Sequence, residues 1–386
     1  MRIVVFSLNF PPLRNPRSFR VGLYSKYLHE KYDLLTITSS IDEECADPSF
    51  VFRSGIKIRM KSKLRGKLKR FSVIRFFHKF IFPDDRIIYM IPFLFNYIFK
   101  LRRKDDLIMT VSNPISAHLI GIFLKLFFRH QWIVDIGDIF SNQNTSNKGP
   151  FAFLINRYEK GVLNFSDHIV LNANSLKQYY LSYFSIQDDK MTVIPNGISL
   201  DIERIRHIPS NEIRLSFIGN TYPIVREGLE EMKILLKLVE LFPETTILIQ
   251  LYGVQFSKLH ELENIFPNII KIRYCQTDDE LIQAYSNTDI LINFANKDNP
   301  GLPSKLNEYQ ATGIPIINFL HSYEDSSCHY LNTIQNAVIH VLVNQVELES
   351  IAEFITKSLN VPRIHISEPA KNFTEAWNRV FNKFIK

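Results

Sequence analysis

The chain has 386 residues, 46% hydrophobic and 22% charged, a composition that excludes a disordered chain and leaves room for two domains. Its net charge of +7 is local: eleven basic residues and no acidic one stand between Pro48 and Pro83, while the other 35 basic residues face 39 acidic ones. Cys45, Cys275 and Cys328 form no Cys-x-x-Cys pair, so neither a disulfide framework nor a zinc site is expected.

The opening residues, Met1 to Leu8, lack the apolar run and cleavage site of a signal peptide and predict a first buried strand over 2–8. Asn9 to Arg20 reads as a loop without glycine, hence without a dinucleotide fingerprint. Its Arg14, Arg17 and Arg20 point to an anionic ligand or to a solvated basic loop.

Further strands are expected over 34–39, 107–111, 132–135, 168–171 and 192–194, with helical patterns over 117–128 and 151–163 between them. Within 53–79, Lys61, Lys63, Arg65, Lys67 and Lys69 alternate as they would along an extended loop, and 71–82 is helical in spacing and mostly apolar. This combination suits an anionic membrane surface. RNA is the rival partner, and a plain solvated loop remains open. The apolar run 87–99 is shorter than the roughly 20 residues that a spanning helix needs and contains Pro92, so no transmembrane segment is expected.

Ser116-Ala117-His118 opens a helix, where a histidine serves either as a structural donor or as a catalyst. Asp135-Ile136-Gly137-Asp138 follows a strand. A carboxylate there could orient a hydroxyl nucleophile, or simply cap the next turn.

Pro195-Asn196-Gly197 marks a turn, after which the pattern restarts. Strands are expected over 214–219, 246–251, 269–274, 290–294, 314–319 and 338–343, and a helix over 227–242. The organisation expected is an α/β pair of Rossmann-like domains, 1–198 and 199–369, facing a cleft, with a final helix over 370–386 returning to the first.

The most informative stretch is Gly301 to Pro315. Pro303, Ser304 as N-cap and Lys305 make a helix start suited to phosphate, Glu308 one turn inside suits a diol such as ribose, and Gly313 closes the helix. The same residues are also ordinary helix punctuation. Gly219 and Asn220 end the first strand of the second half, and Arg226 follows near the start of its helix, either as a second grip on a diphosphate or as a surface residue. No metal motif is present, and no metal or cofactor is expected.

In their order and spacing these pieces resemble the GT-B-fold, retaining family-4 glycosyltransferases of bacterial surface-polysaccharide assembly. The pieces are Asn9-Phe10-Pro11-Pro12, Phe82-Pro83-Asp84, Ser112-Asn113-Pro114 with Ser116-Ala117-His118, Trp132 to Asp138, Val193 to Ile198, Phe217 to Asn220, and the helix from Pro303 to Gly313. The resemblance implies transfer from a nucleotide-diphosphate sugar to a lipid-linked or saccharide acceptor, without a metal or nucleic acid, at the cytoplasmic face of the plasma membrane. It implies donor contacts from Gly219, Asn220, Arg226, Tyr274, Gln276, Ser304, Lys305 and Glu308. Arg14, Arg17 and Asp138 would bind the acceptor, and Asp138, His118, Arg226 and Lys305 would carry catalysis.

Three positions depart from the family pattern: Pro300 where many members have a glutamate, Asn15-Pro16 near the place of a glycine pair, and Ser112 in place of a histidine. A nucleotide-sugar 2-epimerase and a noncatalytic scaffold share the architecture.

Overall fold

The computed structural model describes residues 1–13, 15–40, 47–57, 82–84, 86–140, 152–222, 225–253, 255–294, 296–297 and 301–385. The chain forms two compact units, Met1–Gly197 with Phe373–Lys386, and Ile198–Asn372.

Unit 1 holds a seven-stranded, all-parallel sheet. Its strands are β1 (Arg2–Phe6), β2 (Asp33–Ser40), β3 (Val51–Lys57), β4 (Leu107–Val111), β5 (Gln131–Ile136), β6 (His168–Leu171) and β7 (Met191–Val193), in spatial order β3-β2-β1-β4-β5-β6-β7. The inner strands β1, β4 and β6 are buried along their whole length, which is why they read as apolar runs rather than alternations. Ile3 pairs with Leu34 on one side and Leu107 on the other. The order therefore reverses between β1 and β4, and a crevice opens beyond their carboxyl ends.

Two expectations are corrected in this unit. Pro16–Lys31 is a helix, α1, so the second half of the expected Arg-rich loop is helical; Asn15 caps it by accepting the Ser18 N–H at 2.9 Å, with Pro16 in the first turn. Val51–Lys57 is an edge strand inside the basic segment; the expected helix over 71–82 and the lysines from Lys61 to Lys69 lie outside the described residues.

The next helices are α2 (Ile87–Asn96), which runs on into a π-turn at Tyr97–Leu101, α3 (Ala117–Phe128), α4 (Ala152–Phe165) and α5 (Asn174–Tyr183).

Arg20 is not available to a ligand. Fully buried, it makes a forked ion pair with Asp135 on β5, Nε to Oδ2 at 2.9 Å and Nη2 to Oδ1 at 3.0 Å, and its Nη1 donates to the Ile194 and Pro195 carbonyls, each at 2.9 Å. The last helix, α12 (Glu368–Phe381), lies against the same guanidinium: Trp377 and Phe373 stand 5.4 and 5.9 Å from it, and Trp377 packs on Tyr24 of α1. The carboxyl-terminal helix thus belongs to the core of unit 1.

Unit 2 repeats the scheme with six parallel strands: β8 (Ile213–Ile218), β9 (Ile247–Tyr252), β10 (Ile270–Arg273), β11 (Ile290–Phe294), β12 (Ile316–Leu320) and β13 (Val338–Leu342). Their order is β10-β9-β8-β11-β12-β13. Its helices are α6 (Leu229–Val239), α7 (Ser257–Ile265), α8 (Asp278–Ser286), α9 (Lys305–Thr312), α10 (Ser326–Leu331) and α11 (Leu348–Ser358). The order reverses between β8 and β11, and the candidate donor residues cluster at that point.

Candidate functional site

β8 ends at Ile218, and Gly219 follows directly beside the first residue of α9. A Cβ at Gly219 would stand 3.2 Å from Lys305 Cδ, so the absent side chain lets the lysine stem lie along the end of the strand. Asn220 is exposed beyond it, its Nδ2 3.4 Å from the Tyr222 hydroxyl. Tyr222 and Arg226 pair as an antiparallel bridge ahead of α6, which begins at Leu229. Arg226 therefore belongs to a tight turn and not to the helix start.

Lys305 is 9% exposed, and its Nζ has no hydrogen-bond partner among the described residues. It sits 3.4 Å above the centre of the Phe217 ring and 5.5 Å from that of Tyr309, so aromatic faces are its main support. Burial pushes its pKa well below the ordinary lysine range, and the Arg226 charge adds to that. Arg226 is equally buried: one Nη2 contact goes to Asn296 Oδ1, and Nε has no partner among the described residues. Two buried basic groups that act on each other electrostatically, each with donors unused among the described residues, are electrostatically incomplete. An anion with several acceptor oxygens would complete them.

Ser304 does not cap the helix as its residue type suggested. Its backbone is already helical, and its side chain makes no capping bond; the Leu306 N–H donates to the Pro303 carbonyl at 3.1 Å instead, which leaves the Lys305 N–H as the uncapped donor at the start of α9 among the described residues. The far end follows expectation: Gly313 closes α9 at φ 68°, where a Cβ would meet the Ile364 carbonyl oxygen at 2.1 Å.

Glu308, half-buried one turn into α9, accepts a hydrogen bond from Tyr285 at 3.1 Å. Burial raises its pKa from 4.5 to about 7. The folded state therefore holds this proton more tightly than the unfolded chain, so the contribution of Glu308 to stability is full below pH 4.5 and is lost as pH rises through about 7. Glu308→Gln is expected to melt above the parent at about pH 8 and level with it at about pH 3.5, because only the ionised carboxylate is penalised. Thermal denaturation at the two pH values checks this; a variant that melts lower at both would refute it.

Tyr274 and Gln276 lie just past β10, whose last residue is Arg273, and Tyr274 is exposed with its hydroxyl 3.5 Å from His260 Nε2. The Gln276 N–H donates to Glu280, whose carboxylate also belongs to the capping box that starts α8. Cys275 and Glu308 both act electrostatically on Tyr285, which brings this segment to the Glu308 side of α9.

In unit 1, Arg17, His118 and Asp138 come together. Arg17 is 8% exposed; its Nη2 lies 3.7 Å from Asp138 Oδ2, while Nη1 is buried without a partner among the described residues. Gly137 makes room for it, since a Cβ there would fall 1.1 Å from Arg17 Nη2. His118 is fully buried, its Nδ1 2.8 Å from the Thr110 hydroxyl and its ring stacked on Phe140. Burial, with the Arg17 charge, lowers its pKa to about 3, so the imidazole is neutral. Asp138 is the accessible member of the three, whereas Asp135 is consumed by Arg20. Arg14 and Pro300 lie outside the described residues.

Tyr309, Asn296, Tyr285 and Phe217 support the unit 2 site without having been anticipated. Tyr309 ties α9 to the sheet: its hydroxyl accepts the Ile218 N–H at 2.9 Å and lies 3.2 Å from the Ile292 carbonyl. A separate cavity of ≈ 910 Å³, lined among others by His207, Asp289 and Arg363 near the amino ends of the unit 2 strands, contains none of the expected site residues.

Residues 53–202 match the family model Glycosyltransferase Family 4. No curated protein matches the chain. Solved structures do. Sucrose-phosphate synthase from Thermosynechococcus elongatus is similar over 98% of this chain and 94% of its own, with TM-score 0.63 and 14% identity. Anabaena Alr3699/HepE in complex with UDP-glucose is similar over 98% and 95%, with TM-score 0.58 and 13% identity. The lipopolysaccharide outer core galactosyltransferase WaaB, in its apo form, is similar over 99% and 100%, with TM-score 0.57 and 10% identity. The fold is GT-B. At these identities the likeness speaks for the architecture, and the chemistry has to be argued from the residues.

Proposed function

We propose that the protein is a retaining glycosyltransferase that moves a sugar from a nucleotide-diphosphate donor to a lipid-linked or saccharide acceptor in cell-surface polysaccharide assembly. The observation that carries this reading is the pair of under-satisfied cations, Lys305 and Arg226, at the switch point of the unit 2 sheet, with a buried carboxylate, Glu308, one helical turn away. The family match over 53–202 and the UDP-glucose complex of the HepE neighbour support the donor class.

On this reading the diphosphate sits against Lys305, Arg226, Gly219 and the amino-terminal end of α9, Glu308 holds the ribose, and Tyr274 and Gln276 flank the base with Asn220 beside them. As the bond from sugar to diphosphate breaks, charge grows on the leaving phosphate, and two fixed cations and a helix amino terminus stabilise it without reorganising. These charges suffice for a reaction that needs no metal. In retention, the leaving phosphate takes the acceptor proton. Asp138 and Arg17 bind the acceptor, and His118, buried beneath them as a neutral ring, acts as a positioning residue. The enzyme works on the cytoplasmic face of the membrane, with the basic segment 53–79 on the lipid.

Proton NMR of the protein with UDP- and GDP-sugars and a panel of lipid-linked and saccharide acceptors tests the reading. The expected product keeps the anomeric configuration of the donor. An inverted product removes retention, a 2-epimer released without acceptor indicates isomerisation instead, and no turnover with any donor removes the enzyme.

A further inference from the structure

The surface of α2 is the least expected in the molecule. Ile88, Ile91, Phe95 and Phe99 are 59, 50, 56 and 74% exposed, although Met90, Phe93 and Tyr97 on the other side of the same helix are buried. Spacings of three, four and four residues line the exposed four up along one stripe of α2 and its π-turn. Phe95 and Phe99 stack on each other with ring centres 5.8 Å apart.

The carboxyl-terminal end of α3 adds Leu126 and Phe127, 57 and 69% exposed, and the Arg102 guanidinium lies 4.3 Å from the centre of the Phe128 ring, which joins the two helix ends. Single exposed apolar residues are ordinary; six set along one stripe of α2 and its π-turn and at the end of α3 form a patch of the kind that marks an interaction surface.

Its rim decides the occupant. Lys100, Arg102, Lys104 and Arg129 are all exposed around it. A second copy meeting this face across a two-fold axis would bring like charges together, whereas an anionic lipid surface neutralises them and accepts the apolar side chains between its headgroups. No described helix is long and apolar enough to cross a membrane, so α2 would lie on the bilayer. The eleven cations between Pro48 and Pro83 precede α2 directly in the chain.

We infer that the α2 stripe, with the end of α3, inserts into the interface of an anionic phospholipid membrane and seats unit 1 there. The inference rests on the peripheral-membrane part of the proposed function and assigns it a surface.

Trp132 and Trp377 are fully buried, so a tryptophan placed in the stripe reports on its own surroundings. Phe99→Trp is expected to shift its emission to shorter wavelength on addition of phosphatidylglycerol-containing vesicles and to be quenched by brominated acyl chains. Ile265→Trp, at an exposed site in unit 2, is expected to do neither.

A combined Ile91→Ser, Phe95→Ser and Phe99→Ser protein, with melting temperature unchanged, is expected to lose about tenfold or more in vesicle partitioning, since three large apolar side chains no longer leave water. If that protein floats with anionic vesicles as the parent does and Phe99→Trp does not respond to lipid, the stripe is not the contact. Should flotation then vanish on changing Lys61, Lys63, Lys67 and Lys69 to glutamine, the peripheral reading survives without this surface; no flotation of the parent ends both. A concentration-dependent shift of Phe99→Trp without lipid would assign the face to a second copy and overturn the inference.

Discussion

Lys305→Met is expected to lower sugar transfer by about two to three orders of magnitude, the usual effect of deleting one fixed donor to a developing anion, on the order of 3–4 kcal/mol. The change keeps the length of the stem over Phe217 and Tyr309 and removes only the ammonium, so the packing of α9 should survive. The free protein should be no less stable than the parent. Lys305 is buried without a hydrogen-bond partner, and its pKa is driven down by that burial, so the ammonium is a penalty in the absence of ligand. Steady-state kinetics beside a thermal melt separates the two effects. A variant that transfers sugar at the parental rate would remove Lys305 from the machinery, and one that unfolds would show that its charge is structural.

The largest effect on stability is expected at Arg20. Arg20→Ala would leave Asp135 charged and fully buried, and would also remove the donor to the Ile194 and Pro195 carbonyls. Breaking one side of such a pair destabilises a fold by about 3–5 kcal/mol, whereas replacing both partners by apolar residues of similar volume is close to neutral. Urea denaturation should therefore rank Arg20→Ala far below the parent, with the Arg20→Met, Asp135→Leu double variant well above the single one. Equal losses in the two would point to the carbonyl bonds and the Trp377 contact rather than to the ion pair.

These two cations show how far a sequence can be read. Lys305 stands in a local pattern, with proline before it, a carboxylate three residues on and glycine at the helix end, and that pattern pointed to phosphate chemistry before any fold was known. Arg20 carries no such mark: its partner is 115 residues away, and nothing local distinguishes it from Arg17, which does keep an unused donor. Arg226 could equally have been a surface residue, because its burial depends on the turn at Tyr222 and on Asn296.

The strands were legible for a simpler reason. Parallel strands buried on both faces become runs of Ile, Val, Leu and Phe, as in β1, β11 and β12, and the partly buried edge strands β7, β10 and β13 keep enough apolar residues that every strand but one stood out. The exception, β3, is an edge strand carrying Arg53 and Lys57, and its charges made it look like the start of a basic loop. The amino terminus of α1 was hidden by the arginines that follow it, although Asn15 and Pro16 were a sufficient start signal. Tyr285, Phe217 and Asn296 support the site from other strands and helices, and such contacts leave no periodic trace.

Calorimetric titration of UDP and GDP into the parent and into an Arg226→Ala, Lys305→Met protein tests the central claim most directly. The account predicts that the parent binds at least one of the two diphosphates and that the double variant, still folded, binds it at least about tenfold more weakly, the loss of two charge-assisted contacts being more than 1.4 kcal/mol. Equal binding by both proteins, or no binding of either nucleotide by the parent, would contradict it.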